Sequence, residues 1–329
     1  MPASVDVLAI GNALVDVLAP ASPDFLEAQG IPKGGMRLIG ADEAETLYAA
    51  MGPGREISGG SAANTVAGVA ALGGKPAFVG RVAQDQLGDV FGHDIRAAGV
   101  SFTTAPSANG QPTGRCLIVV TPDGDRTMNT FLGAAQELTE ADLDPASVEA
   151  AQILYLEGYL WDPPAPRAAM RKAIAVARAK GRKVALTLSD VFCVNNHRDD
   201  FKQLLAGHVD LMFANEHEVC ALYETKSLDA AMEELAKHAC IAVVTRSSEG
   251  AVVLEGGRRH VVSGERVANV VDTTGAGDMF AGGFMAGMVA GRPLADCARM
   301  GNIAAAEIIT HYGARAEADL KALVKAKLG

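Results

Sequence analysis

Hydrophobic residues occur along this chain in short, continuous runs that alternate with longer amphipathic stretches. The runs mostly lack period-two alternation, which is typical of strands buried on both faces of a parallel sheet. We predict such strands at residues 5–10, 77–80, 153–156, 183–188, 211–214, 241–245 and 251–254. Helical patterns occupy residues 165–180, 227–238 and 292–310, so strand–helix–strand crossovers are expected.

Two segments, residues 14–58 and 101–132, break this rhythm. They contain shorter alternating runs, such as residues 115–120 and 126–130, which flank a Thr-Pro-Asp-Gly-Asp turn. Alternating runs joined by such a turn are typical of a β-hairpin. The two segments therefore predict a small second sheet.

The composition excludes several classes of protein. With 329 residues, of which 49% are hydrophobic, the chain can bury a large core. Its formal net charge of −10 argues against nucleic acid as a partner, because a nucleic-acid-binding face is normally basic. The five cysteines form no C-x-x-C pair, which favours free thiols. No apolar run suits a membrane helix and no signal-peptide pattern is present, so we predict a cytoplasmic protein without a membrane partner.

The richest chemistry lies in the turn Asp-Thr-Thr-Gly-Ala-Gly-Asp at residues 272–278. It follows an apolar run at 267–271, which we interpret as a strand, and precedes a small-residue helix at 279–289. Glycines and the first amides of a helix can hold a phosphate. Asp278 would repel that phosphate in a purely binding site, but it suits a base that takes a proton from an attacking hydroxyl. The alternative is a simple helix cap, since Asp, Thr and Gly are all common there.

A second Gly-rich helix entry, Gly-Gly-Ser-Ala-Ala-Asn-Thr, occupies residues 59–65. Together, residues 59–88 and 272–283 resemble the paired signatures of the ribokinase-like (PfkB) family of carbohydrate and nucleoside kinases. The resemblance covers nearly the whole chain. It implies a three-layer α/β/α fold with a mainly parallel sheet and a small β-sheet lid. The large domain would comprise residues 1–13, 59–100 and 133–329, and the lid residues 14–58 and 101–132.

The acceptor site is predicted from two polar clusters. Asn12 and Asp16 follow the first strand, at the carboxyl edge where open α/β sheets bind ligands. The Asp16 carboxylate can accept hydrogen bonds from two vicinal hydroxyls. The family resemblance adds Gly60, Ser61 and Asn64 to this grip on the sugar hydroxyls.

The resemblance also implies ATP and Mg²⁺ as cofactors. The Asn215-x-x-Glu218 motif would organise the metal, with Glu218 acting through water, although the same tetrad could simply start a helix. The further residues expected to contact the nucleotide are Thr245, Gly250, Gly275, Gly277 and Asn302. Ser247 stands where a glycine is usual, so this nucleotide loop departs from the family pattern.

For catalysis, the resemblance assigns Asp278 as the base and the amides of Gly275, Ala276 and Gly277 to the transferring phosphate. Arg126 would lie at the lid edge and reach the same phosphate. Two alternatives stay open: a requirement for a monovalent cation such as K⁺, and a homodimer in place of a monomer.

Several segments are more similar to the adenosine kinase branch of the family than to ribokinases or fructokinases. That similarity places Leu14, Leu132, Tyr159 and Phe192 around a purine base, although each could be an ordinary core residue. We therefore predict an ATP-dependent kinase that phosphorylates a purine nucleoside, with the 5′-OH of adenosine as the first choice. The alternatives are a ribose- or fructose-type sugar kinase of the same family and a catalytically silent nucleoside-binding regulator.

Overall fold

The structure is a computed structural model that describes residues 4–329. The strands are β1 Val5–Ile10, β2 Leu14–Pro20, β3 Gly35–Leu38, β4 Arg55–Gly59, β5 Ala77–Val79, β6 Ser101–Phe102, β7 Gly114–Val120, β8 Arg126–Phe131, β9 Ala151–Glu157, β10 Lys183–Thr187, β11 Leu211–Asn215, β12 Ile241–Thr245, β13 Ala251–Glu255 and β14 Arg258–Val262. The α-helices are α1 Pro23–Ala28, α2 Ala41–Ala50, α3 Ser61–Ala71, α4 Gln86–Ala97, α5 Pro145–Ala150, α6 Pro164–Ala179, α7 Val191–Leu205, α8 Glu216–Leu222, α9 Leu228–Leu235, α10 Ala276–Val289, α11 Leu294–Ile308 and α12 Leu320–Leu328.

The larger sheet has the order β14-β13-β12-β11-β10-β9-β1-β5-β6 and is parallel from β12 to β6. Successive side chains of a strand point to opposite faces, so Leu8 and Ile10 pack into one core and Val7 and Ala9 into another. Helices cover both faces. The predicted three-layer α/β/α fold with a mainly parallel sheet is therefore confirmed.

A second sheet has the order β3-β8-β7-β2-β4. Its strands come from the two segments that interrupt the strand–helix rhythm, except that β4 extends one residue further, to Gly59. Strands β7 and β8 form the predicted antiparallel hairpin. The segment 101–132 does not lie wholly in this sheet, however. Ser101–Phe102 pairs with β5 at the edge of the larger sheet, where the Phe102 ring packs against Phe78 and Phe91.

The apolar run at residues 267–271 is not a strand, contrary to the sequence-based interpretation. The N–H of Val271 donates to the carbonyl of Ile309 at the end of α11, at 2.8 Å, instead of joining a strand ladder. Val270 is largely exposed. The turn before α10 is therefore held by the end of α11.

Small residues bring α3 and α10 close together. A Cβ at Gly282 would lie only 2.6 Å from the carbonyl oxygen of Thr65, so a larger residue would separate the two helices. Their N-terminal turns, which carry Ser61 and Asp278, consequently lie side by side. None of the helices within residues 4–329 has the length and apolar character needed to cross a bilayer.

Candidate active site

A cavity of about 570 Å³ lies between the carboxyl edge of the larger sheet and one face of the second sheet. This volume is within the range usual for small-molecule sites, roughly 300–1,000 Å³. The second sheet presents alternate residues to it, as a strand's period of two requires. These residues are Leu14 and Asp16 on β2, Met36 and Leu38 on β3, Cys116 and Ile118 on β7, and Met128 and Thr130 on β8.

Most of the site residues predicted from the sequence line this one cavity. They are Asn12, Leu14, Asp16, Gly60, Ser61, Asn64, Leu132, Tyr159, Phe192, Asn215, Glu218, Thr245, Gly275, Gly277 and Asp278. Four others do not line it: Arg126, Gly250, Ala276 and Asn302. Gly250 ends the turn before β13. The Asn302 amide donates to the carbonyl of Ser263 at 2.9 Å and so holds the loop that follows β14.

Asp278 lies in the first turn of α10, which begins after Gly275 in a left-handed conformation with φ 77°. Its carboxylate accepts hydrogen bonds from Ser61 Oγ at 2.7 Å and from Asn64 Nδ2 at 3.1 Å. Burial raises the pKa of Asp278 above its ordinary value, and the two hydrogen bonds oppose that shift. The carboxylate is thus held in one orientation at the cavity floor.

No side chain caps the start of α10. The N–H of Ala276 donates to Thr273 O at 3.2 Å, whereas the N–H groups of Gly275 and Gly277 have no acceptor within residues 4–329. Free amides at a helix N-terminus favour an anion. Gly275 and Gly277 therefore offer donors directly, and Ala276 only by exchanging its bond to Thr273.

Arg315, which the sequence analysis did not identify, lies behind Asp278. Its guanidinium donates to Asn64 Oδ1, to Ser58 O at 2.6 Å and to Ser58 Oγ at 2.9 Å. Burial lowers the pKa of Arg315, while Asp16, Asp94 and Asp278 oppose that shift. It follows α11 in a loop whose sequence gives no sign of a contact with residues 58 and 64.

Glu157 is a second residue that the sequence analysis missed. It is fully buried at the end of β9, and its carboxylate accepts from Asn12 N at 2.7 Å, Asn12 Nδ2 at 2.6 Å and Ala62 N at 2.8 Å. Burial raises its pKa to about 7. Asn12 Oδ1 is buried with no protein partner within the described residues, so it can accept a hydrogen bond from a ligand hydroxyl. The sequence signal that could have identified Glu157 is its position as an acidic residue at the end of an apolar strand.

Asp16 lies on β2 beside this polar floor. Burial raises its pKa to about 7; Arg315 and Arg126 oppose the shift, whereas Asp278 adds to it. Several carboxyl groups thus share a poorly hydrated space, which costs folding free energy. Such clusters are typical of functional sites, where ligand binding and not stability decides which residues are present.

Arg126 is the first residue of β8 and shares the cavity-side face of that strand with Met128 and Thr130. Its guanidinium forms a buried ion pair with Asp272, Nη1 to Oδ2 at 2.5 Å, and donates to Thr274 Oγ1 at 3.2 Å. It also lies 5.1 Å above the ring centre of Tyr312. The second sheet is thereby joined to the turn that carries Asp278.

The residues expected to contact Mg²⁺ also cap a helix. Asn215 and Glu218 form a capping box at the start of α8, and burial raises the pKa of Glu218 to about 7. No cluster of three or more potential metal-binding side chains was found in the part of the chain that is described. One cavity-lining carboxylate fits Mg²⁺ held mainly by water and phosphate, since this ion needs few protein ligands.

The nucleotide loop that departs from the family pattern keeps the backbone expected of a glycine. Ser247 has φ 49°, a left-handed conformation that non-glycine residues rarely adopt. Thr245, just before it, lines the cavity and donates to Ala214 O at 3.4 Å. Ser247 therefore adopts a backbone conformation at this position that a glycine would tolerate more easily.

Exposed apolar side chains from two elements, α7 and β3, form apolar walls of the cavity. Phe192, at the start of α7, is 63% exposed, while Met36 and Leu38 on β3 are 50% and 58% exposed. The sequence analysis predicted Phe192 but not the two β3 residues, because a short strand in an irregular segment gives no pattern of its own. Large apolar groups left exposed in a cavity favour a ligand with an apolar part.

The fold and the site together define a small-molecule kinase, and comparison with known proteins agrees. The model of the pfkB family of carbohydrate kinases matches residues 36–321, so the chain belongs to that family. It is a phosphotransferase that acts on a hydroxyl group, which sets aside the alternative of a catalytically silent regulator.

Among individual proteins, the chain is similar to adenosine kinase from Saccharomyces cerevisiae, with 29% identity over 93% of this chain and 95% of that protein. The solved structure of adenosine kinase from Sinorhizobium meliloti has a TM-score of 0.91 and 50% identity, covering 99% of this chain and 100% of the other. A probable sugar kinase from Rhizobium etli has the same TM-score and 47% identity, with 99% of both chains covered.

Proposed function

We propose that this protein is an adenosine kinase, which transfers the γ-phosphate of ATP to the 5′-OH of adenosine. The observation that carries the choice of acceptor is the pair of apolar walls, Phe192 from α7 and Met36 with Leu38 from β3, which line the same cavity as the polar floor. A nucleoside has a planar base for the walls and hydroxyls for the floor. A bare sugar would leave the walls exposed. The names of the S. meliloti and S. cerevisiae relatives support the same acceptor.

In this proposal Asp278 accepts the proton of the acceptor hydroxyl while that oxygen attacks the γ-phosphorus of ATP, and the bond from the γ-phosphorus to the leaving oxygen of ADP breaks. The free amides of Gly275 and Gly277 donate to oxygens of the transferring group and stabilise its charge, and Arg126 adds positive charge from the lid. Glu218 and Asn215 would hold hydrated Mg²⁺, which neutralises phosphate charge when it is bound. Asn12 and Asp16 bind the ribose hydroxyls.

A panel of acceptors with ATP and Mg²⁺ tests the proposal. We expect kcat/KM for adenosine to exceed that for ribose or fructose by at least about a hundredfold, because the sugars leave the apolar walls unfilled. Inosine tests how the base edge is recognised. Phe192→Ala should lower kcat/KM for adenosine and leave any kcat/KM for ribose unchanged. Val191→Ala is the matched control, since Val191 is exposed on the same turn but does not line the cavity.

The second candidate is a sugar kinase of the same family. The 47% identical probable sugar kinase from R. etli favours it, and so does the polar floor, which would hold sugar hydroxyls equally well. Preference for ribose or fructose over adenosine in the panel, with no effect of Phe192→Ala, would establish this function instead.

We also expect Asp16 to hold the ribose 2′-OH. Asp16→Ala should lower kcat/KM for adenosine by about 10- to 100-fold, the usual value of hydrogen bonds to a charged group. Wild-type protein should lose part of that amount with 2′-deoxyadenosine, and the two losses should not add, because they remove one shared contact. Equal kcat/KM for adenosine and 2′-deoxyadenosine with the wild type would contradict this role.

A further inference from the structure

The side chain of Arg315 is coupled to Asp278 through one intermediate residue. Arg315 donates to Asn64 Oδ1, and Asn64 Nδ2 in turn donates to Asp278 Oδ2 at 3.1 Å. An amide can be placed in two orientations that differ by exchange of its oxygen and nitrogen. Arg315 has only N–H donors, so it is compatible only with the orientation in which Oδ1 faces Arg315 and Nδ2 faces Asp278. Arg315 thus decides that Asn64 is a donor to the carboxylate.

Arg315 is itself fixed before any ligand arrives. Its second terminal nitrogen donates to Ser58 O at 2.6 Å and Ser58 Oγ at 2.9 Å. Ser58 is fully buried in β4 and is held from α4 by Asp94 Oδ2, which accepts from Ser58 N at 2.8 Å and Oγ at 2.6 Å. The guanidinium therefore spans the last strand of the second sheet and the first turns of α3, and the chain Arg315–Asn64–Asp278 is preorganised.

The charge of Arg315 matters as well as its geometry. Asp278 is faced by Ser61 and Asn64 of α3, by Arg315 and by the nearby acids Asp16 on β2 and Glu157 on β9. Burial disfavours a carboxylate at Asp278 by raising its pKa, and Ser61, Asn64 and Arg315 oppose that shift. Of these facing groups, only Arg315 carries a positive charge. A base must be ionised to accept a proton, so an uncompensated site would lose its active form.

We propose that Arg315 is a positioning residue for phosphoryl transfer, which orients Asn64 toward Asp278 and supplies the positive charge that keeps this base ionised. The proposal rests on the assignment of Asp278 as the base under the proposed function, and it adds a residue that the family signatures at 59–88 and 272–283 do not contain.

The test compares Arg315→Met, which removes charge and donors, with Arg315→Lys, which retains charge but cannot form the same fork of hydrogen bonds. Single-turnover rates at saturating acceptor and ATP are measured against pH. Loss of Arg315 raises the pKa of Asp278 further, and a base is active above its pKa. In a plot of rate against pH, the acid limb is the low-pH part where the rate falls as the base is protonated. We therefore expect the acid limb of Arg315→Met to lie at higher pH than that of the wild type, by about one unit or more, with a larger rate loss at pH 6 than at pH 9.

Arg315→Lys should keep the acid limb near that of the wild type and still lose rate at every pH, because Asn64 is no longer held. Arg198→Met is the matched control. Arg198 is also partly buried and bonded to a backbone carbonyl, Ala221 O at 3.1 Å, but lies outside the cavity. This variant should change neither the rate nor the position of the acid limb.

Asp16 also faces Arg315, so the Arg315 measurements are repeated in an Asp16→Asn background. This separates the titration of Asp278 from that of Asp16.

A lowered melting temperature with an unmoved acid limb and a wild-type rate in Arg315→Met would overturn the proposal and leave Arg315 a structural residue. If Arg315→Met does not fold, Arg315→Lys decides, since a wild-type rate there would also overturn it. Failure of the base assignment looks different: Asp278→Asn would then turn over normally. If Asp278→Asn is inactive and the Arg315 variants show no effect, only the present proposal fails.

Discussion

Replacing Asp278 with Asn is expected to lower kcat by roughly 10²- to 10⁴-fold, the usual contribution of a positioned base. The fold should survive. The Asn carbonyl can still accept from Ser61 Oγ, and the loss of the bond from Asn64 Nδ2 costs about 1 kcal/mol. Burial raises the pKa of Asp278, so an ionised carboxylate is unfavourable there, and a neutral amide recovers part of that cost.

The pH dependence of kcat is an independent test of the assignment of Asp278 as the base. A base with a raised pKa is protonated, and inactive, below a pH that lies above the ordinary carboxyl range. Wild-type activity should therefore fall as the pH drops through that value, and Asp278→Asn should lack this acid limb. Asp89→Asn is the matched control, because Asp89 also lies in the first turn of a helix, α4, but away from the cavity. Near-normal turnover by a folded Asp278→Asn protein would refute the assignment.

The parts of the fold and site that the sequence predicted share one property: their signal is local. Continuous apolar runs gave the strands of the larger sheet because both faces of each strand are buried. The cavity residues of the two Gly-rich turns, such as Ser61 and Asp278, were predictable because a short helix entry carries several of them at once. The predictions that failed concern elements whose contacts are with residues distant in sequence. Residues 267–271 are mostly apolar, but Val271 bonds to the end of α11 instead of to a neighbouring strand, which no local pattern records.

The missing site residues follow the same rule. Arg315 lies 251 residues from Asn64 along the chain, and Glu157 lies 145 residues from Asn12. Each acts only because the fold brings it behind a predicted residue. From the sequence alone, an arginine beside the hairpin turn that contains Asp123 could equally be an exposed surface charge. The structure excludes that alternative, since Arg126 is buried and pairs with Asp272.

Arg126→Ala should therefore have two separable effects. Leaving Asp272 without its partner in a buried position should lower the free energy of unfolding by about 3 kcal/mol or more. Loss of a positive charge beside the predicted phosphate site should lower kcat by about 10²-fold or more, since such a charge stabilises the transition state. Chemical denaturation measures the first effect, and kcat at saturating adenosine and ATP measures the second.

The double variant Arg126→Met/Asp272→Asn distinguishes the two effects. Removing both charges should restore much of the stability, because no unpaired buried charge remains, while kcat should stay low. Arg115→Ala is the matched control. Arg115 lies on the neighbouring strand β7, does not line the cavity and is placed 5.5 Å above the ring centre of Tyr48. It should leave kcat unchanged.

The same variants test whether the second sheet acts as a lid. Arg126 already contacts the turn before α10, whereas Met36 and Leu38 at the far edge of the sheet remain exposed. Closure over a nucleoside would cover that edge and exclude water, which otherwise competes with the acceptor hydroxyl. Adenosine should then slow hydrogen exchange in β3 and β8 of the wild type, and less so in Arg126→Ala. Equal exchange with and without adenosine, together with recovery of kcat in the double variant, would mean that Arg126 only ties a static sheet to the large domain.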